Sequence, residues 1–232
     1  MGNILLVAVV IFLAVMAFAG YKSGFIKIIL TLAATIVTIT LSALLTPTIS
    51  EILKEKTPLY DTLYIKMESF VSSQMQEEAS SVAAEQQQSA LESMALPDSI
   101  KNALIDNNTG NSYIEMGVDS FASYTAKALT MFLLNAISFI ILFIIFSAIF
   151  AIIMGLANVF TKLPIIKGAN KMAGIAAGLL QGLLILWILA IIVTACAATT
   201  WGQSTLKMID ESIFLSFIYN NNLLTKLITA IF

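Results

Sequence analysis

Lys162–Gly182, read KLPIIKGANKMAGIAAGLLQG, joins a lysine-bearing loop to a ladder of glycines, and the reading of that junction decides the fold. Lys162, Lys167 and Lys171 have no acid among them, and Gly174, Gly178 and Gly182 follow at steps of four as the chain turns apolar. Such steps keep residues on one slowly drifting helical stripe, here with Ala173, Ala177 and Gln181 beside it. Between helices in lipid there is no hydrophobic drive, so small residues that let backbones approach become the packing face. The ladder reads as such a face inside a membrane.

The rest of the chain agrees. Its 232 residues are 59% hydrophobic and 11% charged, where soluble domains carry about 25% charged residues. The apolar residues gather near 4–20, 25–45, 129–156 and 173–199, each close to the roughly 20 residues that a bilayer core requires. The fold class is therefore all-α: a polytopic integral membrane protein with four transmembrane helices in two hairpins and an extracytoplasmic helical insert. Residues 1–232 make a single integral membrane domain, with 46–126 as the insert and 200–232 as an extracytoplasmic amphipathic tail. The first span ends in AFAG, but no lysine precedes it and Lys22 follows it, so it reads as retained. MGNILL lacks the hydroxyl residue at position six of a myristoylation signal.

Positively charged short loops stay in the cytoplasm. Lys22 and Lys27 flank the first hairpin turn, Lys162, Lys167 and Lys171 occupy the second, and neither turn carries an acid. The segment 46–126 holds twelve acids against four lysines. Both termini are then extracytoplasmic. Lysines at a membrane surface also attract anionic headgroups, which makes membrane lipid a partner.

Within the insert, Leu63, Met67, Phe70, Val71, Met75, Ala79 and Val82 recur at helical spacing, and EEASSVAAEQQQSALESM continues in helix formers. LPDSIKNALIDNN predicts a short helix with Pro97 in its first turn and a stop at Asn107, Asn108 and Gly110. Val118, Phe121, Thr125, Ala128 and Phe132 predict that the third span begins as a helix before it enters lipid.

The chain has no His, its only cysteine is Cys196, and all twelve basic residues are lysines. Histidine ligation, an internal disulfide and bidentate arginine clamps are excluded, and nucleic-acid binding is not expected. No phosphate loop or nucleophile–base pair is visible, so no catalytic, cofactor or metal residue is assigned, and the protein is read as no enzyme. Thr31, Thr35, Thr38 and Ser42 form a second small stripe, on span two, and this stripe and the glycine ladder are candidates to face one another. With Asn135 and Gln181 they pack helices; the alternative is the lining of an oligomeric channel or transporter. No Asp, Glu or Lys lies deep in a span, which favours packing.

Three stretches resemble the colicin V production protein family of CvpA-like membrane proteins. They are GYKSGFIKIIL at Gly20–Leu30 followed by ALLTP at Ala43–Pro47, LPIIKGANKMAGIAAGLLQGLL at Leu163–Leu184, and SFIYNNNLL at Ser216–Leu224. The family pattern falls on Gly20, Lys22, Gly24, Phe25 and Pro47, then on Leu163, Pro164, Asn170, Lys171, Gly174, Gly178, Gln181 and Gly182. Lys171 stands where relatives commonly carry arginine, and the long insert is similar to that of larger members. The resemblance implies a bacterial cytoplasmic membrane protein without an established catalytic site. It would act in toxin production or export, or in envelope maintenance, through helix–helix assembly with itself or with envelope and export proteins.

Overall fold

A computed structural model of the chain describes residues 3–74, 84–94, 96–156 and 169–229. Among the described residues all regular structure is helical: α1 (Ile4–Ser23), α2 (Phe25–Lys56), α3 (Leu59–Gln74), α4 (Ala84–Ser93), α5 (Asp98–Asp106), α6 (Gly110–Met116), α7 (Phe121–Leu156), α8 (Ala169–Ala195), α9 (Thr200–Asp210), α10 (Ile213–Asn220) and α11 (Leu223–Thr229). Four of these, α1, α2, α7 and α8, are long and apolar enough to cross a membrane. The chain is an all-α polytopic membrane protein.

Helix ends depart from the apolar runs for local reasons. α2 runs on through Pro47 to Lys56, and α7 starts at Phe121, so these helices have 32 and 36 residues. At 1.5 Å per residue they are about 48 and 54 Å long, well beyond a hydrocarbon core of about 30 Å. α8 ends at Ala195, and Thr199 caps α9 by accepting a hydrogen bond from the Gly202 amide at 3.0 Å. Asn107 ends α5, whereas Gly110 opens α6 behind the Thr109 cap. Gly110 thus starts a helix rather than stopping one. The tail divides into three helices because Ser212 and Asn222 each end one turn and cap the next: Ser212 Oγ accepts from the Leu215 amide, and Asn222 Oδ1 accepts from Leu224 and Thr225 at 2.9 and 3.2 Å.

The chain forms two compact units. The span unit comprises residues 1–46 and 139–189. Its surface is rich in large apolar side chains, including Ile4, Val7, Phe18, Ile36, Ile144 and Ile152, each more than half exposed. That is the surface hydrocarbon solvates. The insert unit comprises residues 47–138 and 190–232. It seals Val71, Leu91, Met94, Ile100 and Ile228 in a core where none is more than 1% exposed. Burial of such side chains is worth about 1.5–3 kcal/mol each, the economy of a water-soluble domain. The tail is part of this core, because α11 packs on α5. Of the sequence-read amphipathic insert helix, Met67, Phe70 and Val71 are buried; Met75, Ala79 and Val82 lie outside the described residues.

Candidate functional site

The glycine ladder packs within the chain, against α1. Gly20 lies so close to α8 that an added Cβ would collide with the Gly174 carbonyl oxygen and come within 3.0 Å of Gly178 Cα. A Cβ on Gly178 would in turn strike the Met16 carbonyl oxygen, and one on Gly182 would meet Met16 Cγ and Leu13 Cδ2 at 3.1 and 3.2 Å. Leu13, Met16 and Gly20 share a face at steps of three and four, so α1 answers each glycine with backbone or a flexible side chain. The approach of backbone to backbone is what glycine permits and any other residue forbids.

Below this seam two turns interlock. α1 and α2 are separated by Gly24 alone, whose φ of 81° belongs to the left-handed region that side-chain-bearing residues avoid. This sharp turn leaves the first amides of α2 without helical partners. Asn170, at the start of α8, supplies one: its Oδ1 accepts a hydrogen bond from the Ile26 amide at 3.2 Å. An asparagine 144 positions away in sequence therefore caps α2 from outside. A Cβ on Gly24 would displace the Asn170 amide group, so Gly24 is needed for its backbone angle and for the space it leaves. The Lys171 ammonium sits 5.4 Å from the centroid of the Tyr21 ring, a cation–π contact across the same two turns.

Gly20, Gly24, Asn170, Lys171, Gly174, Gly178 and Gly182 are thus gathered into one constellation. Lys22 lies in the last turn of α1, and Phe25 and Lys27 open α2. Gln181 is half-buried beside Gly182, and Pro47 lies inside α2 in the insert unit. Lys162, Leu163, Pro164 and Lys167 lie outside the described residues. Sequence reading missed Met16 and Tyr21, although the spacing of Met16 four before Gly20 carried the signal.

The threonine stripe turns elsewhere, which corrects the pairing of the two stripes. Thr31, Thr35 and Thr38 line a groove shared with α7; the α2 residues packed against Ala177 of α8 are Ile28 and Leu32. Each hydroxyl donates to the carbonyl four residues earlier: Thr31 to Lys27, Thr35 to Thr31, Thr38 to Ala34 and Ser42 to Thr38, at 3.1, 2.9, 2.9 and 2.7 Å. Their protons are satisfied inside the helix.

The insert unit has its own knot, at Tyr219–Asn222. Thr194 Oγ1 donates to the Ala190 carbonyl at 2.8 Å and lies 2.9 Å from the Tyr219 hydroxyl. A threonine has one hydroxyl proton, so Tyr219 is the donor of this pair. Burial, reinforced by Asp98, holds the Tyr219 hydroxyl well above the ordinary tyrosine range. Asn220 Oδ1 accepts from the Asp98 amide at 3.4 Å, tying the tail to the start of α5.

Residues 115–222 match a family model described as Colicin V production protein. Over this interval, a little under half of the chain, the protein is similar to the colicin V production protein family. The match takes in α7, α8, the whole Leu163–Leu184 stretch with its described Asn170–Gly182 residues, and the Tyr219 knot, and bears out the resemblance read from the sequence. Gly20–Phe25, which face Asn170 and Gly174, lie before the matched interval. No curated protein and no solved structure matches the chain.

Proposed function

We propose that the protein is a non-enzymatic scaffold or accessory protein of a bacterial cytoplasmic membrane. It crosses four times, with insert, tail and both termini outside the cytoplasm, and acts in toxin production or export, or in envelope maintenance. The match of residues 115–222 to the colicin V production family supports the toxin role, and the lysines of the two short turns support the orientation.

The assembly surface is on the tail. Gly174 and Gly178 are already covered by α1, so partners meet the chain elsewhere. The observation that carries this reading is α10, which has two apolar faces: Leu215 and Tyr219 fill the core, whereas Ile213 and Phe217 are 92% and 66% exposed. An apolar face on a unit whose core is already filled is a docking surface, for an envelope or export protein or for a second copy. The channel reading has less support, because the stripe hydroxyls donate to their own helix.

A photo-crosslinking residue at Phe217 in living cells is expected to capture an envelope or export protein, or the same chain. Ile213→Asn is expected to abolish the adduct and reduce toxin export. An adduct confined to lipid, with export and envelope integrity unchanged in Ile213→Asn, would overturn the assembly surface; ion conduction by reconstituted vesicles would favour the channel.

A further inference from the structure

α2 and α7 face each other through small side chains and leave a groove of about 440 Å³ in the span unit. Its α7 wall is Ser147, Phe150, Ala151 and Gly155, with Ser147, Ala151 and Gly155 at steps of four. Ala151 and Gly155 are exposed and Thr35 is half-buried, so the groove opens to the outside of the helix pair, and all of its lining but Gly155 lies within the candidate spans. The hydroxyls of Thr31, Thr35 and Thr38 on its α2 wall donate to their own helix, and Ala34, Phe150, Ala151 and Gly155 make most of the remaining lining apolar beside Ser147. Hydrocarbon fits such a lining.

One end of the same face is cationic. Lys27 precedes Thr31 by one turn, is exposed, and lies in the first turn of α2, where that helix enters the membrane from the Gly24 turn. Lys27, Thr31, Thr35 and Thr38 therefore form one stripe, charged at the interface and non-donating beyond it. A molecule complementary to both parts has an anionic head and a hydrocarbon tail.

We infer that the α2–α7 groove seats one acyl chain of an anionic phospholipid, with Lys27 at the headgroup phosphate. The seat is separate from the tail surface and independent of orientation, since Lys27 is interfacial whichever side the turn occupies.

Native mass spectrometry of the full chain in detergent tests this, with equal phosphatidylglycerol and phosphatidylcholine of identical acyl chains. The protein is expected to retain phosphatidylglycerol about fivefold over phosphatidylcholine, the discrimination of one interfacial lysine. Lys27→Gln is expected to keep bound lipid but lose the preference; Ala151→Phe, which fills the groove, is expected to lose both lipids at unchanged helical circular dichroism. Equal retention of the two lipids, or an undiminished preference in Lys27→Gln, overturns the proposal. So does disulfide dimerisation of Ala151→Cys in a Cys196→Ala background, which would place a second copy in the groove.

Discussion

Residues 1–46 and 139–189 set backbone against backbone and leave isoleucines and valines outside, whereas residues 47–138 and 190–232 enclose phenylalanine, tyrosine and leucine and turn lysines and carboxylates outward. The cause is the solvent on each side. Against hydrocarbon a large apolar side chain gains nothing by being buried, so cohesion comes from contact distance, which glycine shortens. Against water the same side chain gains in proportion to the area it hides. Hydroxyls bond back into their own helix in both units, as at Thr35 and Thr205, while in the insert unit Thr109, Thr199 and Ser212 also start new helices.

If this contrast holds, small-to-large changes are ruinous in one unit and large-to-small changes in the other. The largest effect is expected at Gly178, where leucine would drive a side chain into the Met16 carbonyl and cost about 5 kcal/mol or more. Gly155→Ala, in the same unit but with nothing within 4 Å of the added Cβ, is expected to stay within about 0.5 kcal/mol. Unfolding titrations in mixed micelles compare the two; equal tolerance would break the seam.

Next is Ile228, fully buried in α11. Ile228→Ala is expected to cost about 2–5 kcal/mol through the cavity it leaves. Ile145→Ala, at an outward position 47% exposed in the span unit, is expected to cost about 0.5 kcal/mol or less. The pair also tests whether the tail belongs to the insert core, since a merely adsorbed tail would make Ile228→Ala as mild as Ile145→Ala.

The membrane class and the glycine face were legible because both rest on local patterns: unbroken apolar runs and a four-residue repeat. The partner of that face was not legible. The threonine stripe of span two is a fuller small-residue signature than Gly20 with the long Met16 on span one, and spacing along one helix does not say which neighbour it meets. Asn170 was visible as part of a family motif, but its task depends on an Ile26 amide 144 residues away. The tail read as one amphipathic piece because Ser212 and Asn222 look like ordinary polar interruptions until their side chains are seen accepting from the next helix.

A smaller effect separates the units by pH. The Tyr219 hydroxyl is held above its ordinary value of about 10. Folded and unfolded chains are both protonated there below pH 10; above it the unfolded tyrosine loses its proton first, so stability falls as pH rises. Tyr219→Phe is expected to cost about 1 kcal/mol at neutral pH, from the lost Thr194 hydrogen bond, and to flatten part of the alkaline fall. Intrinsic unfolding followed from pH 8 to 11 checks both. An alkaline slope identical in the variant would mean that Tyr219 is not the buried donor.

The smallest change acts on the hydrogen bond between the start of α8 and the turn that joins α1 to α2. Asn170→Ala removes the acceptor of the Ile26 amide and is expected to cost about 1 kcal/mol, the usual worth of a helix cap. Asn170→Asp keeps an oxygen in place and adds negative charge near the α2 N-terminus, which the helix dipole favours. Alanine should therefore destabilise and aspartate should recover most of the loss. If asparagine served instead by filling space against Gly24, aspartate and alanine would separate by size alone, and Gly24→Ala would be partly relieved by Asn170→Ala. Capping makes the opposite demand: in that double variant the loss of the cap adds to the damage of Gly24→Ala, whose φ of 81° stays unfavourable for alanine on either account.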